Sequence, residues 1–338
     1  MTSTTGKPNL ASLPTRAGAR ILSVGAARGD REVPNDDLVG PIDSSDEWIR
    51  QRTGIVTRTR ASAEVGVKDL SLTAAKEAIE RSGIALETLD AIIVSTISFP
   101  YPTPSLATLL AGELGRPDVI AYDISAACAG FAYGIGQADS LIRSGAARNV
   151  LVIGAEKLSD FVSPTDRSIS FLLGDGAGAA VVGPSDTPRI GPTVWGSDGD
   201  HWDTIRMTGS SIDFRDGKAE WPTLEQDGRT VFRWAVWHTA KKIREMLELS
   251  GIGIEDVDVF VPHQANMRII DELAKQLKLP EDVVIGRDIA ETGNTSAASI
   301  PLATHRLLEE GAAKSGDVLV QFGFGAGLAY AGQVLVLP

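Results

Sequence analysis

Asp123-Ile-Ser-Ala-Ala-Cys128-Ala-Gly-Phe-Ala-Tyr133 carries the only cysteine of the 338-residue chain and sits where the hydrophobic period changes. Val119 to Ile124 is a short apolar run of strand type, and Ala129 to Arg143 is a helix of small residues closing at Ser144-Gly145. Arg143 falls in the last turn, where the helix dipole favours a cation. The sulfur thus stands where a strand gives way to a helix. Unpaired backbone N–H groups and the positive dipole end there are expected to stabilise a thiolate and lower its pKa.

A free cysteine is by default a small buried hydrophobe, so the sulfur needs partners before it reads as a nucleophile. Two later stretches supply candidates. In Val259-Phe-Val-Pro-His263-Gln-Ala-Asn266-Met-Arg268 an apolar strand delivers His263 at its C-terminal end, the edge where open α/β sheets hold ligands. In Gly293-Asn294-Thr-Ser-Ala-Ala-Ser-Ile-Pro301 a Gly-Asn turn leads into a helix with proline near its start. Taken singly, His263 reads as a core histidine and Asn294 as turn chemistry.

The chain also repeats itself. A helix ending in Ser82-Gly-Ile84, an acidic connector and Leu89-Asp-Ala-Ile-Ile-Val94 return as Ser250-Gly-Ile252, an acidic connector and Val257-Asp-Val-Phe-Val261, 168 residues later (250 − 82). Ser125-Ala-Ala-Cys128 is echoed by Ser296-Ala-Ala-Ser299, Gly145-Ala-Ala-Arg148 by Gly311-Ala-Ala-Lys314, and Gly174-Asp-Gly-Ala-Gly178 by Gly323-Phe-Gly-Ala-Gly327. A period of half the chain implies two similar βα halves rather than a solenoid. Alternating strand and helix signals in each half predict mixed, mainly parallel sheets covered by helices. Pro and Ser cluster between Pro184 and Pro192, which places the boundary there.

Length allows one large or two medium domains. A net charge of −12 argues against a nucleic-acid partner, which requires clustered Lys and Arg. One cysteine rules out an internal disulfide and suits a reducing compartment. Met1 to Gly18 is polar and lacks the apolar core of a signal peptide, and no apolar run approaches the ~20 residues of a membrane helix. The expectation is a cytoplasmic protein with a short tail and no membrane contact. Gly196 to Trp221 has little periodicity and reads as surface loops, with His201 and Trp202 structural or solvated.

Taken together, Cys128, His263 and Asn294, with Ser44-Ser-Asp-Glu-Trp-Ile-Arg-Gln-Arg-Thr-Gly-Ile55 and the C-terminal glycine-rich stretch, resemble the β-ketoacyl-acyl carrier protein synthase III family of the thiolase superfamily. The likeness runs over nearly the whole chain. It implies an α/β, thiolase-like five-layer αβαβα fold made of two similar βα halves. The division would be a disordered tail at 1–18, a half with the nucleophile at 19–187, and a half with the histidine and asparagine at 188–338. It also implies an initiating condensing enzyme of type II fatty acid synthesis. An acyl group passes from acyl-CoA to Cys128, then joins malonyl-acyl carrier protein in a decarboxylative Claisen reaction, giving 3-oxoacyl-acyl carrier protein, CoA and CO2. No metal or cofactor is called for, since the CoA thioester is a substrate, and a homodimer is implied.

On this resemblance Cys128 is the nucleophile, and His263 and Asn294 donate to the thioester carbonyl that becomes an enolate. Backbone N–H groups of Cys128 and the Gly325-Ala326 turn form the other oxyanion hole. Several relatives have glycine where this chain has Ala326, so the turn must avoid conformations only glycine tolerates. Trp48 and Arg167 match residues that sandwich the CoA adenine, and Arg52 one near the CoA phosphates. Arg268 matches a residue that contacts the carrier protein's phosphopantetheine region, and Arg233 and Lys275, with Asn266, are expected to join it in a basic patch, although the family's adjacent lysine pair is only Lys275-Gln276 here. Thr103, in Ser98-Phe-Pro-Tyr-Pro-Thr103, matches a loop that reaches across the dimer to close the primer channel, where threonine leaves more room than phenylalanine.

Other members of the superfamily fit less well. A biosynthetic thiolase needs a second cysteine in the late glycine-rich loop, and a Cys-His-His synthase needs a histidine where Asn294 stands; His305 reads as solvated. A priming ketosynthase of a polyketide or other specialised pathway would carry the same residues. A non-catalytic acyl-binding paralogue would have no need of all three.

Overall fold

The computed structural model describes residues 12–338. The predicted tail therefore lies mostly outside the described residues, and its inner end is ordered rather than free. The Arg16 N–H donates to Arg143 O at 2.9 Å, and Gly18 already begins the first strand.

The first half builds a five-stranded sheet from β1 (Gly18–Arg28), β2 (Leu89–Ser95), β3 (Ile120–Ile124), β4 (Asn149–Lys157) and β5 (Asp175–Ser185), in the order β1-β5-β4-β2-β3. The second half builds another from β6 (Val194–Gly196), β7 (Val259–Pro262), β8 (Val284–Ile285), β9 (Val318–Phe324) and β10 (Tyr330–Val336), in the order β6-β10-β9-β7-β8. The orders are the same once each strand is advanced by five, and so are the directions. In each sheet the two pairings at the end farther from the first strand are parallel and the other two antiparallel. The chain passes from one sheet to the other between Ser185 and Val194, within the Pro/Ser cluster.

The layers follow from what each strand buries. All nine residues of β4 are buried, so helices must cover both faces. On the outer face lie α2 (Val67–Ser82) and α3 (Leu106–Glu113), joined to the sheet by a core that includes Ala74, Leu110, Ile92 and Leu151. Between the sheets lie α4 (Gly130–Arg143) and α7 (Ser299–Glu309), which bring Ile135, Ile142 and Ile300 into one core with Val152 and Val261. Outside the second sheet are α5 (Gly228–Ser250) and α6 (Met267–Leu277), packed through Ile243, Leu273 and Phe322. This is the five-layer αβαβα arrangement. A further helix, α1 (Asp46–Thr53), starts at Ser45, whose Oγ accepts from the Trp48 N–H, and projects from the first half beside α6.

Details differ from the sequence reading. Cys128 lies in a 3-10 turn, Ala127–Ala129, and α4 proper begins only at Gly130. Its counterpart is the 3-10 turn Ser296–Ala298, and both turns open on a residue in the left-handed region, Ala127 at φ 44 and Ser296 at φ 48. The structural partner of Cys128 is therefore Ala297, two residues from the Ser299 that the sequence echo suggests. The Gly196–Trp221 region is not loop alone. Ile205–Met207 pairs with Leu224–Gln226, and Ser211–Arg215 forms a short capped helix.

Candidate active site

Cys128, His263, Asn294, Gly325 and Ala326 all line one cavity of about 740 Å³, with walls from both halves. Each arrives at the end of a strand or the start of a helix, so sheet geometry rather than loop flexibility fixes the group.

Cys128 follows β3 through a short connection. That approach is held by Asp123, whose carboxylate accepts the N–H groups of Leu106 and Ala107 at 2.7 and 2.8 Å and so caps α3. Gly325 lies against the sulfur. A Cβ built there would sit 2.7 Å from the Cys128 Cβ and 2.9 Å from Sγ, so only glycine lets the turn approach. The left-handed positions in this loop fall on Gly327 (φ 70) and Leu328 (φ 42), so Ala326 is free of the strain its substitution for glycine would otherwise bring.

The expectation of a lowered thiol pKa is overturned. Burial pushes the Cys128 thiol up to about 12, the negative charge of Glu156 adds to the rise, and the Ser296 hydroxyl and the cysteine's own backbone N–H only partly oppose it. Desolvation outweighs the field of the helix start, and the resting sulfur is a thiol.

His263 and Asn294 are both oriented from behind. His263 is 2 % exposed, its Nδ1 is 2.7 Å from Ser299 Oγ, and burial drives its pKa down to about 3, so the ring is neutral. Asn294 uses its Oδ1 to accept the Ser296 N–H at 2.9 Å, which leaves the side-chain NH₂ for the cavity.

The sequence reading missed a group next to these. Glu156, at the end of β4, is fully buried, and its carboxylate takes hydrogen bonds from Ser98 Oγ (2.6 Å), Thr96 Oγ1 (3.3 Å) and the Ile97 N–H (3.2 Å). Burial nevertheless pushes its pKa up to about 7. The Ser296 hydroxyl favours the anions of both Cys128 and Glu156, although it has no hydrogen-bond partner of good geometry. A glutamate directly after the uncharged run Val150-Leu-Val-Ile-Gly-Ala155, on the same strand, was the available signal.

At the mouth, Trp48 of α1 is flanked by two guanidinium groups, Arg52 at 5.5 Å and Arg167 at 5.1 Å from the ring centre. The structure thus brings the three predicted CoA residues together, with Arg52 alone on the cavity wall. Arg233, Asn266 and Arg268 also line the cavity. Asn266 caps α6 by accepting the Arg268 N–H at 2.9 Å, and Arg268 packs over Phe232 at 5.6 Å. Arg229 joins them. Lys275 is set apart, two helical turns or about 10 Å further along α6, 76 % exposed and near Glu272 at 3.8 Å. Thr103 is exposed and lines no part of the cavity of the single chain. His201 binds Asp198 at the surface, 2.9 Å away. His305 is not solvated: its Nε2 lies 3.1 Å from Glu77 on α2, and its side chain is 12 % exposed.

A thiolase fold with a cysteine, a neutral histidine and an asparagine on one cavity defines a condensing acyltransferase. The family models for 3-oxoacyl-[acyl-carrier-protein] synthase III and for its C-terminal part match residues 122–199 and 247–337. The chain is 58 % identical to the β-ketoacyl-[acyl-carrier-protein] synthase III of Kocuria rhizophila, covering 95 % of this chain and 97 % of that one. It is 53 % identical to that of Streptomyces glaucescens, covering 95 % and 96 %. Among solved structures it superposes on the priming β-ketosynthase of the R1128 polyketide pathway with a TM-score of 0.95 at 44 % identity, covering 98 % and 99 %. For the 3-oxoacyl-[acyl-carrier-protein] synthase III of Aquifex aeolicus the values are 0.87 and 39 %, covering 94 % and 100 %. The chain belongs to the β-ketoacyl-[acyl-carrier-protein] synthase III family.

Proposed function

We propose that the chain catalyses the initiating condensation of type II fatty acid synthesis, taking its primer from acyl-CoA and its extender from malonyl-acyl carrier protein. The observation that carries this reading is the convergence of Cys128 from one half with His263 and Asn294 from the other on a single cavity.

In the first step the Cys128 sulfur attacks the acyl-CoA carbonyl. The thioester passes to the enzyme, and the thiol proton leaves with CoA. Backbone N–H groups of Cys128 and Ala326 stabilise the tetrahedral oxyanion. Because the resting group is a thiol, attack and proton loss are coupled at the moment substrate is in place. In the second step malonyl-carrier protein loses CO2. The negative charge that moves onto its thioester oxygen meets donors from His263 Nε2 and Asn294 Nδ2, each worth about 3 to 4 kcal/mol. The enolate carbon then attacks the acyl-cysteine, releasing 3-oxoacyl-carrier protein and the sulfur, which regains a proton.

Trp48 and Arg167, whose guanidinium lies 5.1 Å from the indole centre, would hold the CoA adenine, with Arg52 at the phosphates. Arg233 and Arg268, with Lys275 further out, would receive the acidic carrier protein at Asn266 and the mouth. Thr103 would meet a primer only across a subunit interface, and so belongs to the reading of a homodimer, supported by the 64 % exposed Tyr101 in the same loop. Among the described residues no helix is long and apolar enough to cross a membrane.

Intact-protein mass spectrometry after incubation with acetyl-, isobutyryl- and octanoyl-CoA tests the first step. One acyl group on the Cys128 peptide is the expected result, and folded protein that takes none of the three overturns it. A priming role in a polyketide pathway is the second reading, favoured by the match to the R1128 ketosynthase. Presenting the acyl-enzyme with malonyl groups on a fatty acid carrier protein and on a polyketide carrier protein separates the two.

A further inference from the structure

We propose that Ser299 is a positioning residue for the condensation step, donating its hydroxyl proton to His263 Nδ1 and so holding the imidazole as the tautomer that carries its proton on Nε2. The inference rests on the reading of His263 as a donor to the malonyl thioester.

Ser299 is the first residue of α7, and its hydroxyl is 2.7 Å from Nδ1, with both side chains buried. A distance alone would allow either partner to donate. The surroundings decide. Ser299 Oγ already accepts the Gln264 N–H at 3.3 Å. Among the described residues, Nδ1 is the one acceptor found for the hydroxyl's own proton, and a buried hydroxyl that wastes its donor is disfavoured. With Nδ1 accepting, the neutral ring must carry its proton on Nε2, on the side of the ring away from Ser299. The opposite tautomer would aim a lone pair at the substrate oxygen and repel the charge that develops there. Gln264 is itself fixed, its Nε2 donating to Pro262 O at 2.8 Å and Gly286 O at 3.1 Å, so the serine is braced on both sides.

The first half shows what the position otherwise does. Strand end and helix start meet there too, as Ser95 and Gly130, but a Cβ at Gly130 would fall 1.7 Å from Ser95 Oγ. That juncture is closed by packing. In the second half the equivalent place holds a side chain, and it is one that can donate.

The test uses the full-length protein, with acylation of Cys128 and the subsequent condensation measured separately. Ser299→Ala is expected to lower the condensation rate roughly 10- to 100-fold while acylation changes less than about twofold, and Ser299→Thr, which keeps the hydroxyl, restores most of the rate. Nitrogen-15 NMR of histidine-labelled native protein, with His263→Asn to assign the signal, should show a proton-bearing Nε2 and an unprotonated Nδ1. A proton on Nδ1 in the native protein, or Ser299→Ala with unchanged condensation, overturns the proposal even if Ser299→Thr folds poorly. If His263→Asn loses condensation while Ser299→Ala does not, the donor reading of His263 stands and the role of Ser299 falls. If His263→Asn keeps condensation, the donor reading fails and the proposal with it.

Discussion

The turn that carries Cys128 and the turn that carries Ala297 are one piece of backbone used twice, and each is covered by the opposite half. A Cβ on Gly323 would lie 2.8 Å from the Ala129 Cα; one on Gly154 would lie 2.2 Å from the Ala297 oxygen. Two residues beyond these glycines the halves part company. Gly325 presses against the cysteine, whereas the matching position in the first half is Glu156, buried and held by three neighbouring donors. The strand ends diverge likewise, into Ser95 and His263. Duplication supplied a symmetric frame, and the proposed chemistry divides it: the nucleophile would stand on the cysteine turn of one half, while His263 and Asn294 would donate from the other.

The sharpest way to break this comparison is to exchange the two turns. Cys128→Ala should lower acyl transfer by at least about 10³-fold. Adding Ala297→Cys should restore nothing, because Ala297 is 1 % exposed and its turn lacks a Gly325 equivalent. A double variant that acquires an acyl group on residue 297 would show that the two turns are chemically interchangeable.

A smaller loss follows from closing the gap over the sulfur. Gly325→Ala puts a methyl group 2.9 Å from Sγ and must displace either the thiol or the backbone donors. Acylation is expected to fall about 10²- to 10³-fold, the effect of misplacing one oxyanion donor, with the fold retained by circular dichroism. Unchanged acylation would remove this turn from the oxyanion hole.

Glu156 offers a thermodynamic version of the same contrast, since glycine at the matching position cannot titrate. Its carboxyl, ordinarily near 4.5, is pushed up to about 7 by burial. Between those values the folded chain keeps a proton that the unfolded chain releases, so its contribution to stability falls as pH rises from 4.5 to 7 and is level above. The whole change amounts to at most about 3 kcal/mol. Glu156→Gln should therefore gain in Tm relative to the native protein across that window. His263, depressed to about 3, loses stability as pH falls below its ordinary 6.5, in both proteins alike, so it cancels in the difference. A Tm difference that does not vary between pH 4.5 and 7 would mean that Glu156 does not titrate there.

Much of this was legible in the residues. The repeat, the two-half α/β fold, the strand-to-helix setting of Cys128 and the strand-end setting of His263 follow from period and punctuation, which are local. The register of the repeat at the cysteine turn was not, because Ala127 and Ser296 share a left-handed backbone without sharing a side chain. The thiol pKa was misjudged for a related reason: helix position can be read along the chain, but burial by Gly325 and the charge of Glu156 come from strands distant in sequence. His305 and Lys275 failed in opposite directions, one covered by α2 and the other left beyond the mouth.

The smallest expected effects lie at that mouth, to which the first half brings Trp48 and Arg52 and the second half Arg233 and Arg268. If the division is functional, each side should weaken a different substrate. Trp48→Ala removes the flat surface on which a purine would stack, and should raise KM for acyl-CoA about tenfold while leaving KM for malonyl-carrier protein within about twofold. Arg268→Glu reverses one charge facing an acidic protein and should do the opposite, raising KM for the carrier substrate several-fold at low salt. Screening decides whether that loss is electrostatic: at about 0.1 M salt the Debye length is about 10 Å, so the Arg268→Glu defect should shrink as salt increases, and the Trp48→Ala defect should not. Equal losses toward both substrates from either variant would mean that the two rims act as one site, and the division of labour would stop at the cavity floor.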